Sequence, residues 1–115
     1  MLQTPDLSAF DGDSHFERCG VIVLRPDETT YVIEVPNRSD TPTDTFAIDV
    51  ADVRAIRNPD PTHRLVGFMH THPGHDAPHP SQTDIESIPD GFFGLVYHPV
   101  SGSIIWYTRN GVIDN

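Results

Sequence analysis

Apolar residues recur along this chain with two periods, and the change from one to the other marks its elements. Gly20–Leu24 and Thr30–Val35 are rich in β-branched residues and are separated by Arg25-Pro26-Asp27-Glu28-Thr29, so they read as two strands of a hairpin. Leu65-Val66-Gly67-Phe68-Met69 is a third apolar run, bounded by polar and proline-rich segments, and reads as a buried strand. Phe92–Tyr97 and Ser103–Tyr107, joined through His98–Gly102, predict a second hairpin, with Gly111–Ile113 as an edge strand. Asn37 to Asp44 reads as loop and Thr45–Ile48 as a short strand. The period then changes. Asp49–Ile56 places apolar residues at 50, 53 and 56, which predicts a helix capped by Asp49 and stopped before Pro59. A second short helix is predicted from Ser81, ending by Pro89-Asp90-Gly91. Met1 to Ser14 is polar, and only Leu7–Phe10 and His15–Arg18 offer a helical turn ahead of the first strand. The expected fold class is α/β, a mixed, curved β-sheet flanked by short helices.

Length and charge narrow the possibilities. At 115 residues the expectation is one domain spanning 1–115, with 1–14 as a short polar N-terminal segment. The net charge is −10, with seven arginines and no lysine, and no clustered basic face is present to meet phosphates. Nucleic acid and anionic membrane surfaces are therefore not expected partners. A single cysteine, Cys19, excludes an intrachain disulfide. It reads as a small buried residue at a strand start, although its distance from Glu17 also makes it a metal ligand on paper. No apolar run is long enough to cross a membrane, and no leader-like pattern opens the chain, so a cytoplasmic protein is expected.

The candidate chemistry lies just after the third strand, in His70-Thr71-His72-Pro73-Gly74-His75-Asp76-Ala77-Pro78-His79-Pro80-Ser81-Gln82-Thr83-Asp84. Residues i and i+2 of a strand share a face, roughly 6.5–7 Å apart. His70 and His72 can thus reach one metal ion, and Asp84 arrives on the first turn of the next helix. Two imidazoles and a carboxylate leave the fourth position of a tetrahedral zinc site open, as in catalytic rather than structural sites. Ser81 and Asp84 also have the spacing of a helix capping box, which alone would explain them; a capped helix start is at the same time a rigid platform for a ligand. A proton acceptor must come from elsewhere, and Glu17, ahead of Gly20 and the first strand, is the candidate. His75, His79 and His98 stand beside prolines and read as loop residues, the first two as solvated or as substrate contacts. His15 and His63 receive no role. Tyr97, Trp106 and Tyr107 read as core or sheet-face aromatics.

Together, Glu17, His70-Thr71-His72 and Ser81-Gln82-Thr83-Asp84 resemble the signature of the JAMM (MPN-plus, JAB) metallopeptidases. Glu17-Arg18-Cys19-Gly20 is similar to the Glu-x-Cys-Gly of the bacterial and phage branch. Val35-Pro36-Asn37-Arg38 with Phe46-Ala47-Ile48-Asp49 is similar to the segment that branch places ahead of its metal strand. Eight residues, Pro73 to Pro80, separate His72 from Ser81, one more than the family usually has. The resemblance implies one zinc ion held by His70, His72 and Asp84, Glu17 as general base and Ser81 as oxyanion donor. It implies a protein or peptide substrate, in phage tail assembly or on a ubiquitin-like or sulfur-carrier protein. Many relatives keep the fold as a scaffold subunit after losing the ligands, so a non-catalytic structural subunit is the alternative expectation.

Overall fold

The apolar runs become strands of one sheet. In the computed structural model, which describes residues 2–12, 16–43, 45–56, 61–74 and 77–113, these are β1 (Cys19–Leu24), β2 (Thr30–Val35), β3 (Arg64–Thr71), β4 (Phe93–His98), β5 (Ser103–Thr108) and β6 (Gly111–Val112). They lie in the order β2-β1-β3-β4-β5-β6. Only β3 and β4 are parallel; every other neighbouring pair is antiparallel. A parallel pair needs a crossover, and residues 72–92 supply it. They carry the helix α2 (Gln82–Ser87), so the loop after β3 is fixed to the sheet at both ends. The other helix, α1 (Val50–Ala55), is capped as its sequence predicts: the Asp49 side chain accepts from the Ala51 N–H at 2.8 Å. No helix among the described residues is long and apolar enough to cross a membrane.

Both faces of the sheet are covered. On one, Ile22, Met69, Leu95, Tyr97 and Trp106 pack against Leu7 and Phe10 of the N-terminal segment. That segment is short, as expected, with one 3-10 turn at Ser8–Phe10, yet Leu7 and Phe10 are core residues. Long-range bonds hold it down: Tyr97 donates its hydroxyl to Asp11, Trp106 Nε1 donates to Thr4 Oγ1 at 3.3 Å, and Thr30 Oγ1 donates to the Gln3 carbonyl at 2.6 Å. On the other face Phe68, Val96 and Tyr107 pack against Ile85, Ile88 and Phe92, beneath α2. Gly94 is opposite Tyr107 in the β4–β5 ladder, and a Cβ there would run into the Tyr107 ring. Glycine at this position lets the ring lie against the sheet.

Three expectations are corrected. Thr45–Ile48 forms no strand, because the side chain of Asn37 takes the bonds that a partner strand would have made. Its Nδ2 donates to the Thr45 carbonyl at 3.0 Å and its Oδ1 accepts from the Ala47 N–H at 3.0 Å. Residues 16–18 form no helical turn: the Thr71 N–H donates to the Arg18 carbonyl at 2.8 Å and draws the chain alongside β3. His15, the start of that expected turn, and Pro59, the expected stop of α1, lie outside the described residues. Finally, His98 is not a loop residue. It ends β4 and is buried, with Nδ1 paired to Ser101 Oγ at 2.6 Å.

Candidate metal centre

β3 runs on past its apolar stretch through His70 and Thr71, so His70 is held in the ladder between Cys19 of β1 and Val96 of β4. His72 stays in line because its N–H donates to the Tyr97 carbonyl at 2.9 Å. Strand alternation then turns His70 and His72 to the same face, and both are buried. Their Nε2 atoms are 3.1 Å apart. The longer loop does not move Asp84 away. Its Oδ2 lies 3.2 Å from His70 Nε2 and 3.4 Å from His72 Nε2. The capping box is also present: Asp84 N–H donates to Ser81 Oγ at 3.0 Å, and Ser81 N–H donates to Asp84 Oδ2 at 2.8 Å. One carboxylate thus closes the capping box and turns towards the imidazoles the oxygen that the helix start holds.

Glu17 enters from the other side. Its N–H donates to the Pro42 carbonyl at 2.7 Å, and its own carbonyl accepts from Asn37 Nδ2 at 2.8 Å. The next residue is stitched to the end of β3, where Arg18 N–H donates to Thr71 Oγ1 at 2.9 Å. The Glu17 carboxylate is buried, and Glu17, His70 and His72 offer ligand atoms that all lie within 4.8 Å of one another.

These residues fit a metal ion. With zinc bonds to nitrogen and oxygen of about 2.0–2.1 Å, two tetrahedral ligands stand about 3.3 Å apart. The triangle of His70 Nε2, His72 Nε2 and Asp84 Oδ2 has sides of 3.1, 3.2 and 3.4 Å. Three lone-pair atoms at that spacing need a proton or a cation among them. The tautomer of His72 supports the cation. Its Nδ1 donates to the Ala77 carbonyl at 2.6 Å, which leaves the Nε2 lone pair facing the triangle.

The surroundings fix the electrostatics. Burial lowers the pKa of His70, against the pull of Asp84, and keeps that imidazole neutral. Burial also opposes charge on His72, but the bond to Asp84, the Ala77 carbonyl and the nearby Glu17 outweigh it and raise its pKa. For Asp84 burial would raise the pKa, and the bonds to His70 and His72 overcome it, holding the carboxylate ionised well below its usual range. The ring of Phe46 stacks on His70, with centroids 4.2 Å apart and planes at 18°, while Tyr107 meets the same imidazole edge-on at 6.4 Å. Cys19 behaves as a small buried residue. Its thiol lies 3.6 Å from the Val35 carbonyl, and burial pushes its pKa up to about 12.

His79 is exposed, and His75 lies outside the described residues. His63 pairs with the Tyr31 hydroxyl at 2.8 Å, away from any assigned role. Asn37 and Phe46 received no function from the sequence, although both fall in the family-like segment. The signal for Asn37 was its place directly after a strand and a proline, where an Asn side chain replaces backbone partners. Nothing in the sequence marked Phe46 as the ring over His70.

A mixed α/β sheet that presents a Glu/His/His group at the end of a parallel strand defines a small domain of the JAB/MPN kind. The chain matches the prokaryotic homologs of the JAB domain over residues 11–109 and belongs to that family. No curated protein matches it.

Proposed function

We propose that this chain is a zinc-dependent peptide or isopeptide hydrolase of the JAMM type, acting on a protein in phage tail assembly. The observation that supports it most is the triangle of His70 Nε2, His72 Nε2 and Asp84 Oδ2, whose sides match the edges of a tetrahedral zinc site. His70, His72 and Asp84 would hold the ion. Zinc in that position supplies Lewis-acid polarisation of a carbonyl and lowers the pKa of water. Glu17 takes a proton from the attacking water and carries it to the leaving amine, as the C–N bond breaks and a C–O bond replaces it. Ser81 can donate its hydroxyl hydrogen to the developing oxyanion, because its oxygen already accepts from the Asp84 N–H. Loss of such a donor typically costs about 10²–10³ in rate. What supports the phage context is the likeness of Glu17-Arg18-Cys19-Gly20 and His70-Thr71-His72-Pro73 to the bacterial and phage branch of the family.

The test is metal content with hydrolysis, on purified chain supplied with zinc at neutral pH. Wild type should carry one zinc and cleave a peptide of its tail-protein partner, and His70→Ala/His72→Ala should lose both. Zinc binding with cleavage only of a ubiquitin-like or sulfur-carrier protein would replace the phage context. Absence of stoichiometric metal from wild type would overturn the enzyme in favour of a scaffold.

A further inference from the structure

The sequence predicts an apolar stripe at residues 50, 53 and 56, and the structure leaves it only partly covered: α1 buries no residue, Val53 and the C-cap Ile56 are half-buried, and Val50 is 61% exposed. An apolar helix face without a partner is a surface built for something else to cover. It faces a cleft of about 560 Å³, within the size range of ligand sites. Phe46, Val53, Phe68, Ile88 and Tyr107 supply apolar walls, and Ser81 and Asp84 form part of the same lining. The cleft is therefore continuous with the candidate metal centre. Phe46 joins the two directly, because the ring stacked on His70 is also a cleft wall. Among the described residues no cationic side chain lines it, so an acidic segment finds no counter-charge from them.

We propose that the substrate segment beside the scissile bond carries bulky apolar side chains, of the leucine or phenylalanine kind, which this cleft receives. The inference rests on the hydrolase reading above and narrows it. A chain ending in two glycines would leave the half-buried Phe46, Val53 and Phe68 and the exposed Val50 facing water beside the bond to be cut. A leucine or phenylalanine would cover them and the open face of α1. Val53 and Phe46 are then specificity-determining residues, outside the metal and proton chemistry.

The experiment uses the zinc-loaded full chain and end-blocked peptides of equal length, with Leu or Phe, Gly, or Glu on either side of one amide. Wild type should favour the Leu or Phe peptides over the Gly peptides by about 100-fold or more in kcat/KM, since each methylene in such a pocket is worth about 10–200-fold. Val53→Trp fills the cleft and should remove the preference through KM while zinc stoichiometry is kept. Val50→Glu, at an exposed position where folding is not at stake, should weaken it in the same direction. Equal cleavage of Gly and Leu peptides would overturn the inference and leave the hydrolase intact. If no peptide is cleaved, binding of the Leu peptide to Glu17→Gln chain, with NMR shifts at Val53, Phe68 and Ile88, would support the cleft and reject the hydrolase. Shifts at those residues caused by self-association alone would mean that a second copy is the occupant, and would overturn it.

Discussion

Asn37 and Glu17 are joined through Asn37 Nδ2, which donates to the Glu17 carbonyl at 2.8 Å, and the same side chain holds Thr45 and Ala47 on either side of Phe46. One amide thus sets the backbone of the candidate base and that of the ring over His70. Asn37→Ala removes these partners together. It should cost about 1–3 kcal/mol, read by thermal unfolding, and lower hydrolysis by more than it lowers zinc affinity. Asn37→Asp keeps the acceptor for Ala47 but loses the donor, so it should recover part of the stability without recovering the rate.

Glu17 and Asp84 are both carboxylates at the centre, and substitution should separate their roles. Glu17→Gln should retain zinc and abolish hydrolysis. Asp84→Ala removes a corner of the triangle and the acceptor for the Ser81 N–H, so zinc affinity itself should fall, by about 10-fold or more. Chelator competition beside a peptide assay distinguishes them. Equal zinc loss in both would make Glu17 a ligand.

Zinc binding should weaken in acid earlier than two ordinary histidines would dictate. Only unprotonated imidazole ligates, and the pKa of His72 is raised, so protons compete for it from the alkaline side of the usual value near 6.5. Asp84, whose pKa is lowered, stays ionised across that range and adds no competition. In metal-free chain its sign is opposite to that of His72. The stability Asp84 provides is complete above its unfolded value, about 3.9, and is lost as pH falls further towards its folded pKa. Zinc dissociation constants across a pH series, with urea unfolding of metal-free chain, check both.

Gly94→Ala should destabilise without touching a ligand. The added methyl meets the ring of Tyr107, which packs with Val96 and Ile88 and meets His70 edge-on, so the ring cannot yield without disturbing them. The expected cost is about 1–3 kcal/mol, visible as a fall of several degrees in Tm.

Cys19 should resist alkylation in the folded chain at mildly alkaline pH, because burial raises its pKa to about 12 and little thiolate forms. Reaction with iodoacetamide should appear only on unfolding. Rapid labelling of native chain would contradict its burial.

The sequence by itself determined the parts whose information is local. Apolar and β-branched runs specify β1 to β5: a strand buried on both faces reads as a continuous apolar run, as in β1 and β4, and one with an open face alternates. Asp49 and Ser81 mark helix starts because caps act within three residues of themselves. His70-Thr71-His72 and Ser81-Gln82-Thr83-Asp84 could be read for the same reason, as strand and helix geometry fix where those side chains point. The tertiary structure decided what depends on distant partners. It turned the polar-looking N-terminal segment into a core layer through Leu7 and Phe10, and placed His98 in a strand beside β5. It also replaced an expected strand at Thr45–Ile48 with a strap held by Asn37. Only in three dimensions does Glu17 come within reach of two histidines more than fifty residues away, because pairing of β1 with β3 sets Cys19 opposite His70. A period cannot encode that neighbour; the register of two antiparallel strands does.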